Sequence, residues 1–328
     1  MAGDRIGLFF ALGDDPELVA LAEDAGYHSA WAAEGQGKSA FGKLERWAAA
    51  TDRIRLATGI VNVFSRTPAM LASDLATLDA HSDGRALLGL GVAHPGVVET
   101  FHGVPFERPL PRLKEYVELV RRYLAGDASG YDGEFYSPER TSFWGAFEPV
   151  RGSVPVYNAA LGPSNLRLTG RVADGWFPNL YPKGGIERGR ELIREGAEAV
   201  GRDPSDVTVA PCLLAAIDDD PAVARDAVAD HVVTYMRDVP GYYDQRLAEM
   251  GFEEEVSVVM DAPSSAVARD RIPADLLEAV AVWGTEETAR ERLDGFRDAG
   301  ADLPVIRVPS SFDRAATERV IRTLGPGR

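Results

Sequence analysis

The hydrophobic positions of this chain fall into short, nearly unbroken runs. Between them lie longer stretches in which apolar residues recur at helical spacing. The short runs cover residues 6–10, 28–31, 54–60, 85–91, 154–159, 175–177, 207–217 and 305–308. A run apolar on both faces is what a strand buried on both sides of a sheet requires. The stretches at 16–25, 42–50, 68–80, 111–124, 163–172, 187–200, 220–236, 286–299 and 312–324 read as helices. Pro16, Pro68 and Pro163 fall at first helical positions, where a missing N–H costs nothing. Gly26 and Gly201 stand where helices end. Strand followed by helix, eight times over, demands a parallel sheet. Eight units in roughly 250 core residues favour an α/β fold closed as a (β/α)8 TIM barrel. Two segments break the rhythm: 130–152, after the fourth helix, and 238–272, around the seventh. The first holds a turn at Asp132-Gly133 and is expected to form a short hairpin. The second is irregular and acidic, a helical excursion or a lid. No linker divides the chain, so one domain spanning 1–328 is expected.

Composition narrows the partners. The 328 residues, 45% of them hydrophobic, contain no apolar run of about 18, so no membrane helix is expected. The start of the chain lacks a basic region followed by an apolar core, which argues for a cytoplasmic protein. A single cysteine, Cys212, allows no internal disulfide, and its apolar neighbours read as those of a buried thiol. A net charge of −16 opposes nucleic-acid binding, which needs clustered cations. Lysine occurs only as Lys38, Lys43, Lys114 and Lys183. Scarce lysine and abundant acid fit a halophilic protein whose surface must stay hydrated in salt. A GC-rich genome that favours arginine codons is the alternative.

The residues just after the predicted strands are where a parallel barrel places its chemistry. Glu34 follows the second strand between glycines and could act as an acid or base. Asn62 and Ser65 follow the third and could bond a planar ligand. His94 lies beyond the fourth, and Gly162, Pro163 and Ser164 open a helix after the fifth, where free N–H groups form an anion seat. Asn179 and Lys183, after the sixth, could reach an anionic tail. Trp31, Trp176 and Trp283 are expected to wall the core. Gly89 and Gly91 supply only half of a dinucleotide fingerprint, and none of the five histidines has metal-ligand spacing.

Several blocks together make the chain recognisable: TGIVNVFSRTPAMLAS, DGRALLGLGVAH, LGPSNLRLTGRVADGW, GRDPSDV and WGTEETARERL. They resemble the bacterial-luciferase-like superfamily, nearest its coenzyme F420-dependent oxidoreductases and, among those, the methylenetetrahydromethanopterin reductases. The resemblance implies a TIM barrel and a non-proline cis peptide, here Gly59-Ile60, backing a deazaflavin ring. It places Val92, Ala93 and His94 beside the ring, Gly162, Pro163 and Ser164 near the cofactor phosphate, and Glu34 at an acidic position by the ring. Glu34 and His94 would be the catalytic residues. It implies a hydride passed between F420 and a small organic substrate, a methylene-tetrahydropterin among those expected, in a homodimer or larger homo-oligomer. There are departures. The family's acid-histidine pair is Glu34-Gly35 here, Phe9 stands for a first-strand glutamate, and His94 for an aspartate. An FMN-dependent monooxygenase and a non-catalytic flavin-binding barrel are the alternatives. A glycosidase needs two carboxylates, and only Glu34 is a clear strand-end acid.

Overall fold

The structure, a computed structural model, describes residues 5–11, 13, 15–35, 37–144 and 147–327. The chain begins β1 (Gly7–Phe10), α1 (Pro16–Asp24), β2 (Ser29–Ala32), α2 (Ala40–Ala48), β3 (Arg55–Thr58), β4 (Val61–Asn62), α3 (Pro68–His81) and β5 (Ala86–Gly91). It continues α4 (Pro95–Thr100), α5 (Pro109–Leu124), β6 (Val156–Asn158), α6 (Pro163–Val172), β7 (Gly175–Trp176), α7 (Ile186–Glu198), β8 (Thr208–Val209), β9 (Cys212–Ile217) and α8 (Pro221–Asp238). It ends α9 (Tyr243–Leu247), α10 (Glu253–Met260), α11 (Ser265–Arg271), α12 (Ala274–Val280), β10 (Ala281–Gly284), α13 (Glu286–Asp298), β11 (Val305–Arg307) and α14 (Arg314–Leu324).

All strand pairs are parallel, and they close a ring. β1 pairs with β2, β2 with β3, β3 with β5, β5 with β6, β6 with β7 and β7 with β8. β8 and β9 are one strand interrupted at Ala210-Pro211. A single bridge, Asn179 to Cys212, joins its second half to the segment after β7. β9 then pairs with β11, and β11 with β1. The expected closed barrel is therefore present. β10, absent from the sequence reading, pairs with Leu214–Ile217 of β9, beyond the stretch that faces β7.

Glycine lets large rings fill the barrel. Phe9, Trp31, Tyr157 and Phe177 form an interior core with Cys212 and Val305. Trp31 and Phe177 stack with centroids 4.4 Å apart. A Cβ on Gly175 would lie 2.1 Å from the Tyr157 ring, and one on Gly59 2.7 Å from that of Phe9. Trp31 and Trp176 are fully buried, as expected of core walls.

The register slips by one residue between the pairs Ala57–Leu87 and Val61–Leu90, so the third strand is bulged. The slip orphans ladder groups, and the Thr58 hydroxyl takes them over. Its Oγ1 accepts from Gly89 N at 2.9 Å and donates to Gly89 O at 2.7 Å. The Gly59-Ile60 peptide within the bulge is cis, as the resemblance implies.

Both insertions differ in detail from expectation. The first contains no named strand among its described residues. It doubles back through Tyr131 N to Pro138 O and Gly133 N to Tyr136 O, and Arg151 then anchors its return to Asp79. The second is not irregular. It is α9 to α11, with a wider helical turn at Ala248–Phe252 in which Gly251 has φ 95°. The acidic triplet Glu253, Glu254 and Glu255 forms the first turn of α10, where the helix dipole favours negative charge. These helices build a second core with α8, α12 and the outer side chains of β9.

Candidate active site at the barrel mouth

One cleft of about 790 Å³ opens where the strands end. Its lining takes Phe9 and Ala11 from after β1, Glu34 from after β2, and Gly59, Ile60 and Asn62 from the bulge. Ala93, Ala159, Asn179 and Arg307 come from the ends of successive later strands, and Cys212 from the start of β9. Tyr235 of α8 and Tyr243 of α9 close one side.

The predicted residues do not all converge. Glu34, Gly59, Ile60, Asn62 and Ala93 line the cleft. Val92 is buried behind it, and Ala93 turns the chain at φ 56°. His94 lies between two lining residues, Ala93 and Val97, without lining the cleft itself. It caps α4, its ring centroid is 6.3 Å from that of Tyr242, and burial lowers its pKa. Gly162, Pro163 and Ser164 open α6 as expected, outside the cleft proper. A Cβ on Gly162 would lie 3.7 Å from Arg246 Nη1, ordinary van der Waals contact, so this helix start packs beside a guanidinium that Glu249 holds. Ser65 lines an adjoining cleft of about 330 Å³ that shares Glu34 and Asn62. Asn179 lines the main cleft and its Nδ2 donates to Tyr243 Oη at 3.3 Å. Lys183 begins a short turn away from it.

Glu34 is not a lone acid. Arg66 Nη2 donates to its Oε2 at 2.9 Å, Nη1 makes a second contact with Oε1, and Ala40 N donates to Oε2 at 3.2 Å. Arg66 also meets Asp74 at 3.2 Å. The hydrogen bonds that Arg66 donates to Glu34 raise its own pKa further. Asn62 is fixed as well: its Oδ1 accepts from Phe64 N at 2.9 Å, and its Nδ2 lies 3.3 Å from His102 Nε2.

Three lining residues escaped the sequence reading. Lys43, on α2, is 4% exposed, and its Nζ donates to Ala33 O at 3.0 Å and Ala11 O at 3.3 Å. Nothing in the spacing of α2 marks it. Arg307 interrupts an otherwise apolar predicted strand, and that interruption was a readable signal. Cys212 is buried as expected, and burial pushes its thiol up to about 12, yet it also floors the cleft. Among the described residues no three His, Cys, Asp or Glu side chains could hold a metal ion. Nor is any helix long and apolar enough to cross a membrane.

Parallel strands closed in a ring, with a roomy cleft at their C-terminal ends, define a (β/α)8 barrel built to hold a ligand. A family profile described as luciferase-like monooxygenase matches residues 4–303, and the chain belongs to that family. It is 30% identical over 90% of both chains to a Mycobacterium tuberculosis protein described as a candidate coenzyme F420-dependent oxidoreductase. To the 5,10-methylenetetrahydromethanopterin reductase of Methanolobus tindarius it is 31% identical, over 93% of this chain and 92% of the other. Among solved structures, the coenzyme F420-dependent tetrahydromethanopterin reductase of Methanopyrus kandleri superposes with a TM-score of 0.81. That match has 25% identity and covers 99% of this chain and 98% of the other.

Proposed function

We propose that the chain is an F420-dependent oxidoreductase acting on a small organic substrate. The observation that carries this reading is the make-up of the cleft. An apolar bed of Ile60, Ala93 and Ala159 lies beside Lys38 and Lys43, in a chain whose net charge is −16. The start of α6, with Arg246 beside it, would offer a phosphate the free N–H groups of a helix end. A flat ring with an anionic tail fits those two features together. F420 dependence is named for the Mycobacterium tuberculosis relative and for the Methanopyrus kandleri enzyme, which supports the same cofactor here.

When bound, the cofactor supplies the two-electron chemistry. The protein's part is placement. Ile60 and Ala93 would help hold the ring in the cleft. Phe9 and Phe177 keep water from the floor. Asn62 presents a fixed amide. Glu34, paired with Arg66, orients rather than donates. His94 follows the lining Ala93 without reaching the cleft, and burial lowers its pKa, which disfavours it as a proton donor at neutral pH. Within this class a methylene-tetrahydropterin is the substrate that the reductase relatives point to.

Fluorescence titration of oxidised F420 against FMN tests the reading. F420 should bind at least about tenfold more tightly, a difference of about 1.4 kcal/mol. Preference for FMN would replace the reading with a flavin-dependent monooxygenase. Turnover of reduced F420 with methylenetetrahydromethanopterin, set beside simple carbonyl compounds, then decides the substrate.

A further inference from the structure

Among the described residues Arg307 is a cation without a counter-ion. It ends β11 and lines the cleft. Among the described residues no carboxylate comes within 4.0 Å of it. Its hydrogen-bond partner among the described residues is neutral: Nη1 donates to Tyr235 Oη at 2.8 Å. Its Cζ lies 5.1 Å from the ring centroids of both Phe9 and Tyr235, so two aromatic faces hold the guanidinium plane. Its Nε is buried and has no hydrogen-bond partner.

The neighbours cannot supply the missing charge. Burial pushes the Cys212 thiol up to about 12 and raises the Tyr243 hydroxyl further still, so both stay protonated at neutral pH. Burial, with Arg307 itself, drives His231 down to about 3, so that imidazole is uncharged. Among the described residues the one acid lining the cleft, Glu34, is taken by Arg66. A half-buried guanidinium with an unused donor and only neutral neighbours is costly unless something pairs with it. Its planar fork matches a carboxylate or phosphate in two-point contact.

We propose that the substrate of this cleft carries an oxyanion, and that Arg307 is the residue that binds it and sets specificity for it. The oxyanion would sit above Cys212, between Phe9 and Tyr235, with the reacting carbon toward Ile60. This rests on the oxidoreductase reading for the identity of the site. The pairing itself does not depend on the cofactor.

The test uses small probes on the full chain. Benzoate, phenyl phosphate and benzamide are titrated calorimetrically against the wild type, Arg307→Gln, Arg307→Lys and Tyr235→Phe. A hydrogen-bonded charged group contributes enough to predict at least about tenfold tighter binding of an anionic probe than of benzamide. Whichever of benzoate and phenyl phosphate binds better names the oxyanion. Arg307→Gln should abolish the preference, Arg307→Lys should keep part of it, and Tyr235→Phe should weaken it only a few-fold. Equal binding of all three probes by the wild type overturns the proposal, as does a preference that survives Arg307→Gln in a folded variant. F420 titrated against the same variants separates the two readings. Unchanged F420 affinity in Arg307→Gln supports assignment to the substrate, whereas its loss gives the arginine to the cofactor and overturns the proposal. Failure of the wild type to bind F420 would overturn the functional reading while leaving the probe result to stand.

Discussion

Glu34 shows how one side chain changes role when its partner comes into view. Alone after a strand it is a general acid. Across 32 positions of sequence, Arg66 turns it into a fixed charge. Glu23 is a second carboxylate with a structural task. It accepts from Arg53 N at 2.6 Å, Ile54 N at 2.7 Å and Asp52 N at 3.1 Å, and so secures the entry to β3. Burial opposes its charge, but the three amides and Arg53 prevail and lower its pKa below 4.5. With a folded value below the unfolded one, its contribution is present above the unfolded pKa and is lost as the pH falls through the folded value. Glu23→Gln should therefore lower stability by about 1–2 kcal/mol at neutral pH. The gap to wild type should close at the acid end. Urea unfolding across pH reads this, and a gap constant with pH would remove the charge from the account.

The elements follow from sequence where their pattern is long or their neighbours apolar. All eight ring strands could be read because they are buried on both faces. Helix α6 could be read to the residue, because Gly162-Pro163 opens it. β10 is only four residues and runs straight on from α12, so no turn residue announces it. Helix α4 hides in a loop behind Pro95. Segment 238–272 reads as irregular because its helices are short and pack with α8 in a second core rather than each following a strand. Cleft residues at strand ends were legible by position, whereas Lys43 and Arg66 were not, since helices and the bulge deliver them from elsewhere. Small residues in strands were legible, but not what they accommodate. Gly175→Ala should destabilise by about 1–3 kcal/mol, because a Cβ there meets the Tyr157 ring at 2.1 Å inside a filled barrel. Gly35→Ala, which meets nothing within 4 Å, should stay within about 0.5 kcal/mol of wild type. Thermal melts of the two variants side by side check the contrast.

At the scale of the whole molecule, the ring is not equally strong all round. β1 and β2 share four register pairs, whereas β7 gives β8 only two before the isolated bridge from Asn179 to Cys212 completes the circuit. Two further bonds hold that side: Ala210 N donates to Trp176 O at 2.8 Å and Cys212 N to Pro178 O at 2.8 Å. Asn179 and Cys212 both line the cleft. Local opening concentrates where paired backbone is sparse. In the free protein, the amides of Ala210 and Cys212 should exchange with deuterium faster than those of β2, and a ligand filling the cleft should slow them several-fold. Unaltered exchange on saturation would show that the two events are separate. If they are joined, the barrel behaves like a hoop whose clasp lies inside its own mouth: whatever occupies the mouth also fastens the hoop, and resistance to proteolysis and heat becomes a readout of occupancy.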